Sequence, residues 1–127
     1  IDGKNFTIFL AKNPASFNNN LREVVSASTY ENLLFILNDR IPDGRDVSWI
    51  YDIDADLLRD ACAGKKVYVF GDRVEDMEIR LGYAGVAEVT ALDASYLDSL
   101  PGGSYVVLPN YSAMLEFREV VLGRGIL

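Results

Sequence analysis

Histidine is missing altogether from these 127 residues. A self-contained Ser-His-Asp or Cys-His nucleophile is therefore impossible, and so is a histidine-based zinc site. There is a single cysteine, Cys62, which cannot form an internal disulfide. It falls on an apolar helical pattern with no CxxC partner, which reads as a buried core thiol, and one unpaired thiol fits a reducing compartment. No apolar run approaches the roughly 18 to 20 residues of a membrane span. Basic clusters are lacking too, and the net charge of −7 argues against a protein that binds phosphate backbones. Neither GxGxxG nor GxxxxGK[ST] occurs, so no phosphate cradle is evident.

What remains is half apolar and long enough for one ordinary domain with a real core. There is no internal repeat, low-complexity stretch or linker, so one domain spanning 1–127 is expected. The abrupt start, "IDGKNFTIFLAKNP", reads like a segment entered midway through a longer protein. Five apolar, β-branched or aromatic runs predict buried strands: Phe6 to Ala11, Asn32 to Asn38, Lys66 to Gly71, Ala87 to Leu92 and Ser104 to Asn110. Helical spacing separates them. Phe17, Leu21, Val24, Val25 and Ser28 follow Pro14, with Ser16 placed to cap. Further patterns run through Leu57, Leu58, Ala61 and Cys62, then Val74, Met77, Leu81 and Ala84, then Tyr96, Leu97 and Leu100, and finally Met114, Phe117 and Val121. Such alternation predicts an α/β fold: a Rossmann-like, mostly parallel sheet of about five to six strands with helices on both faces.

In such sheets function gathers at the carboxyl ends of the strands. Lys12, Asn13, Asp39, Asp43, Arg45, Asp46, Asp72, Arg73, Asn110 and Tyr111 all fall there. Turn and cap chemistry alone accounts for many of them. The loop "LNDRIPDGRDVSWIYD" (37 to 52) resists that account most. From Asp39 to Asp54 it holds five aspartates and two arginines, a charge of −5 + 2 = −3, interleaved with Trp49, Ile50 and Tyr51. A solvated loop has little use for the chain's only tryptophan, so "VSWIYDI" is expected to pack on the core or a partner and fix the carboxylates beside it. An acidic cluster of this kind leaves three options: a divalent-metal site on Asp39, Asp43 and Asp46, an ion-paired turn, or an acid lent to another protein's histidine.

The strings "LAKNPASFNNNLR", "LNDRIPDGRDVSWIYDID", "DRVEDMEIRLGYAGV" and "YVVLPNYSAMLEFRE" resemble, in that order and over nearly the whole chain, the carboxy-terminal domain of MurT, the Mur-ligase-like subunit of lipid II isoglutaminyl synthase. The most specific part is "DGRDVSWIYD" (Asp43 to Asp52), which resembles a DGxDxSWxWD pattern of that family. Tyr51 stands where tryptophan is expected, Asn110 where threonine is usual, and "ASF" where "AGF" is familiar. More distantly, "AKNP" and "DGRD" are similar to loops in the third domain of the ATP-dependent Mur ligases, which closes over a nucleotide held by a central domain.

The resemblance implies an ATP-dependent carbon–nitrogen ligase of peptidoglycan and cell-wall biosynthesis, with a role in cell shape. It amidates the D-glutamate α-carboxyl of lipid II through an acyl phosphate, using ammonia from glutamine. It implies a heterodimer with a GatD-like glutaminase that has a cysteine and a histidine but no acid of its own, so that an aspartate of this domain completes the triad. By the DGxD match that residue is Asp43 first and Asp46 second. Lys12, Asn13, Asp72 and Arg73 are the residues expected to face the nucleotide or substrate, unless they only cap helices. ATP and Mg²⁺ are expected mainly on a central domain that is absent here, leaving the isolated domain inactive, with no metal or cofactor of its own. The expected location is the cytoplasm, at the inner face of the membrane that carries lipid II. The other class of function is a non-catalytic adaptor whose acidic loop docks a partner.

Overall fold

The computed structural model describes residues 3–27, 29–40, 46–86, 88–93 and 100–125. Asp43 and Arg45 lie outside them, as does the helical pattern at Tyr96 and Leu97. The expected α/β architecture is present. The strands are β1 (Lys4–Ile8), β2 (Asn32–Ile36), β3 (Lys66–Phe70), β4 (Val89–Ala91) and β5 (Gly103–Pro109). The helices are α1 (Pro14–Ala27), α2 (Ala55–Cys62), α3 (Val74–Tyr83) and α4 (Tyr111–Gly125), with a 3-10 turn at Ser48–Asp52. All four strand pairings are parallel, and the order across the sheet is β1-β5-β2-β3-β4.

The central strands are apolar on both faces because helices cover both. Leu33, Phe35, Val67, Val69, Val106 and Leu108 face α1, α2 and α3, whose Phe17, Leu21, Leu58, Met77 and Leu81 complete the larger core. The alternate residues Leu34, Ile36, Tyr105 and Val107 face α4 through Ala113 and Phe117. There the ring of Phe6 meets Phe117 edge-on, 5.1 Å between centroids, and lies 5.3 Å from Tyr105. The first strand was expected over Phe6 to Ala11. Its regular part begins earlier and ends at Ile8, yet the Phe9 and Ala11 amides still donate to the Val107 and Pro109 carbonyls. Helix α1 also starts differently from expectation. Asn13 is the cap, its Oδ1 accepting from the Ser16 amide at 2.8 Å, while the Ser16 hydroxyl accepts from the Asn13 amide at 3.2 Å. The two residues form a reciprocal box with Pro14 at the first helical position, where its missing N–H costs nothing.

The order places β5 between β1 and β2, so chains leaving β5 and β2 diverge. From β2 the chain runs to the three-helix face; from β5 it runs to α4. This divergence marks the carboxyl ends of the two strands, the usual seat of function in open parallel sheets.

Candidate functional site at the carboxyl edge of the sheet

Asn38, just past β2, is buried, with both ends of its side-chain amide engaged. Its Oδ1 accepts from the Asp72 amide at 2.9 Å, and its Nδ2 donates to Ser112 Oγ at 3.3 Å and Glu116 Oε1 at 3.4 Å. Asn110, just past β5, accepts from the Asn38 amide at 3.2 Å and donates to the Asn38 carbonyl at 2.7 Å. Together these two amides tie the ends of β2, β3 and β5. A glycine allows the third strand to join: at Gly71 (φ +115°) a Cβ would lie 2.4 Å from the Leu37 carbonyl oxygen.

Charges are layered on this frame. The Arg40 guanidinium pairs with Asp72 at 2.9 Å and with Glu116. Arg73 pairs with Asp76 at 2.7 Å and Asp39 at 3.5 Å. The Arg40 hydrogen bond, chiefly, holds the Asp72 carboxyl below the usual aspartate range, against a smaller upward pull from desolvation. Of the residues expected to face a nucleotide, the structure brings Asp72 and Arg73 into this cluster. Asn13 uses its side chain to cap α1, and Lys12 is exposed on the loop before it. Each of the two arginines already serves two carboxylates, so a nucleotide polyphosphate would have to displace one of them; the described residues do not form a ready cradle for it. Asp39 likewise faces Arg73, and among the described residues no group of three carboxylate, thiol or imidazole side chains is placed to hold a metal ion.

The loop's acid-bearing flank is built separately. Asp46 is exposed, and its Oδ1 accepts from the Ser48 amide at 2.9 Å. That backbone bond, then the Ser48 side chain, then the field of Arg73 hold its carboxyl below the ordinary value, so it stays ionised. The turn that follows is rooted in the core. Ile50 is fully buried, and Trp49, as expected, packs inward, its ring 6.2 Å from Phe17. Asp54 caps α2, accepting from the Leu57 amide at 3.1 Å, and its own amide donates to Asn18. Tyr51 (47% exposed) and Tyr83 (77%) remain on the surface with their rings 6.3 Å apart.

Sequence reasoning passed over Arg80, Arg40 and Glu116. Arg80 carried a readable signal, since it lies on the inward stripe with Met77, Leu81 and Ala84, where a charge is out of place. Cys62 is the buried thiol expected: burial pushes its pKa up to about 12.

Fold and site together define a parallel α/β domain that gathers its charged loops at the carboxyl edge of one sheet. The chain belongs to the MurT ligase C-terminal family, which it matches over residues 10–114. It is similar to the lipid II isoglutaminyl synthase (glutamine-hydrolyzing) subunit MurT of Staphylococcus aureus (strain COL), with 32% identity over 123 residues, 91% of this chain and 28% of the relative. The subunit of the same name from Streptococcus pneumoniae (strain ATCC BAA-255 / R6) is 29% identical over 133 residues, 99% of this chain and 30% of the relative. The chain thus spans less than a third of the length of these curated relatives. Among the described residues no helix is long and apolar enough to cross a membrane.

Proposed function

We propose that this chain acts as the carboxy-terminal domain of a glutamine-hydrolysing lipid II isoglutaminyl synthase, docking a GatD-like glutaminase and lending it one aspartate. The complex amidates the D-glutamate α-carboxyl of lipid II at the cytoplasmic face of the membrane, consuming ATP, with Mg²⁺, held mainly by the rest of a longer ligase subunit. The domain by itself turns nothing over. Its contribution is a carboxylate that orients a foreign imidazole in one tautomer and stabilises the imidazolium once formed.

One observation carries this reading: in a chain without histidine, an exposed and ionised carboxylate, Asp46, is held by a backbone amide on a turn anchored in the core. A rigid support is what such a role requires, because a displaced acid orients nothing. Asp43, in the same loop, is the other candidate and lies outside the described residues. A non-catalytic adaptor is the competing reading, and the exposed pair Tyr51 and Tyr83 favours it as well.

Asp43→Asn and Asp46→Asn in the full-length complex separate the two. In the proposed role one of them lowers glutaminase turnover by roughly a hundred- to ten-thousandfold while the subunits still co-purify. Loss of binding, with normal chemistry in whatever complex survives, establishes the adaptor instead.

A further inference from the structure

Arg80 is 4% exposed, and among the described residues it forms no ion pair. Its Nε donates to the Ile50 carbonyl at 2.7 Å and its Nη2 to the Ile53 carbonyl at 2.6 Å, with the guanidinium 5.7 Å from the Tyr51 ring centroid. Stability alone gives little reason for a cation here. A leucine on the same inward stripe would bury apolar surface without the desolvation cost of a charge, and buried ionic groups often yield to apolar ones without loss. What a leucine cannot do is grip two carbonyls at once.

Those carbonyls belong to the end of the turn, where helical backbone runs short of donors, and the Ile50 carbonyl takes a backbone bond there from the Ile53 amide at 3.3 Å. The planar fork of arginine holds both in one geometry, as a lysine's single ammonium does not. From there the contacts run toward the acid. The Ile50 amide donates to the Val47 carbonyl at 3.1 Å, and the Ser48 amide, one residue on, donates to the Asp46 carboxylate. Arg80 and Asp46 thus each bond to the backbone of the turn, and between those two side-chain bonds the path runs only through the turn's own hydrogen bonds and covalent chain.

We propose that Arg80 is a positioning residue for Asp46, acting through the Ser48–Asp52 turn; this rests on the reading that the loop's acid serves a partner's imidazole. The aim of the carboxylate is set from inside the core, by a residue that touches neither partner nor substrate. Arg80→Lys keeps the charge and loses the fork; Arg80→Gln keeps one amide donor.

The test uses the full-length subunit co-purified with its glutaminase, assayed at room temperature and again in the cold. Both variants are expected to lower glutaminase kcat by roughly ten- to a hundredfold. KM for glutamine stays within about twofold, and the ligase rate on supplied ammonium chloride is unchanged, since neither passes through the acid's aim. A rate loss that disappears on cooling, or failure of both variants to yield folded complex, marks Arg80 as a stability residue and overturns the proposal. Wild-type glutaminase rates in both variants overturn it too, while Asp46→Asn, assayed alongside, shows whether the lent acid survives as an idea. Collapse in Asp43→Asn with none in Asp46→Asn keeps the lent acid and discards the role of Arg80; full activity in both asparagine variants discards the two together.

Discussion

The side chain of Asn110 closes on the backbone of Asn38 with both ends of its amide, accepting from the Asn38 N–H at 3.2 Å and donating to its carbonyl at 2.7 Å. The two residues are 72 positions apart and both are buried. Asn110→Ala leaves a buried donor and a buried acceptor unpaired. A loss of about 2 to 6 kcal/mol in folding stability is expected, from roughly 1 to 3 kcal/mol for each orphaned group. Urea unfolding followed by Trp49 fluorescence measures it; a change below about 0.5 kcal/mol would mean that solvent or another side chain replaces both bonds.

Gly71 offers a second and sharper substitution. Its φ of +115° belongs to a region that L residues avoid, and a Cβ would sit 2.4 Å from the Leu37 oxygen and 2.9 Å from its carbon. Strain of about 1 to 3 kcal/mol combines with a backbone clash that no rotamer relieves. Gly71→Ala should therefore lower stability by at least about 3 kcal/mol or prevent folding, as read by circular dichroism during thermal unfolding. A variant as stable as the parent would show that the two loops do not approach this closely.

Acid should weaken the domain in a defined window. Asp72 has its pKa lowered from an ordinary value of 3.8, first by the Arg40 hydrogen bond, while the unfolded chain keeps the ordinary value. A depressed folded pKa means that the unfolded state binds more protons, so the stability is present above about pH 4 and is lost as pH falls through the lower folded value. The pair is partly exposed, so its share is small and shrinks with added salt. Asp72→Asn should flatten the stability profile below about pH 4 relative to the parent, measured by chemical unfolding at a series of pH values. An unchanged acid limb would assign the loss to other carboxylates.

Much of the architecture was legible because the central strands β2, β3 and β5 are short, nearly continuous apolar runs ended by Asn, Gly or Pro, as strands covered on both faces must be. Trp49 was legible for the same reason: its size forced it inward, against Phe17. The cap of α1 was half legible, since Asn13 and Ser16 carry equivalent oxygens and only geometry shows which one begins the helix. Strand order was not, because apolar runs state that a strand is covered and not which strand lies beside it. The site inherited that gap. Asn38 meets Asn110, and Arg40 meets Glu116, only because β5 lies beside β2, while Arg40 meets Asp72 because β3 flanks β2 on the other side. Arg80 was hidden differently, as the one charged residue within an otherwise apolar helical stripe.

The insertion of β5 also bears on how the chain acquires its shape during synthesis. While the ribosome has delivered the chain only as far as residue 100, β1 lacks its one partner among the described strands and β2 carries one bare edge. β5, the last of the described strands to emerge, is the keystone that joins them, so a nascent chain halted before it exposes two adhesive strand edges at once. Quality control during translation, more than the stability of the finished domain, is then where truncation of this protein would first be felt.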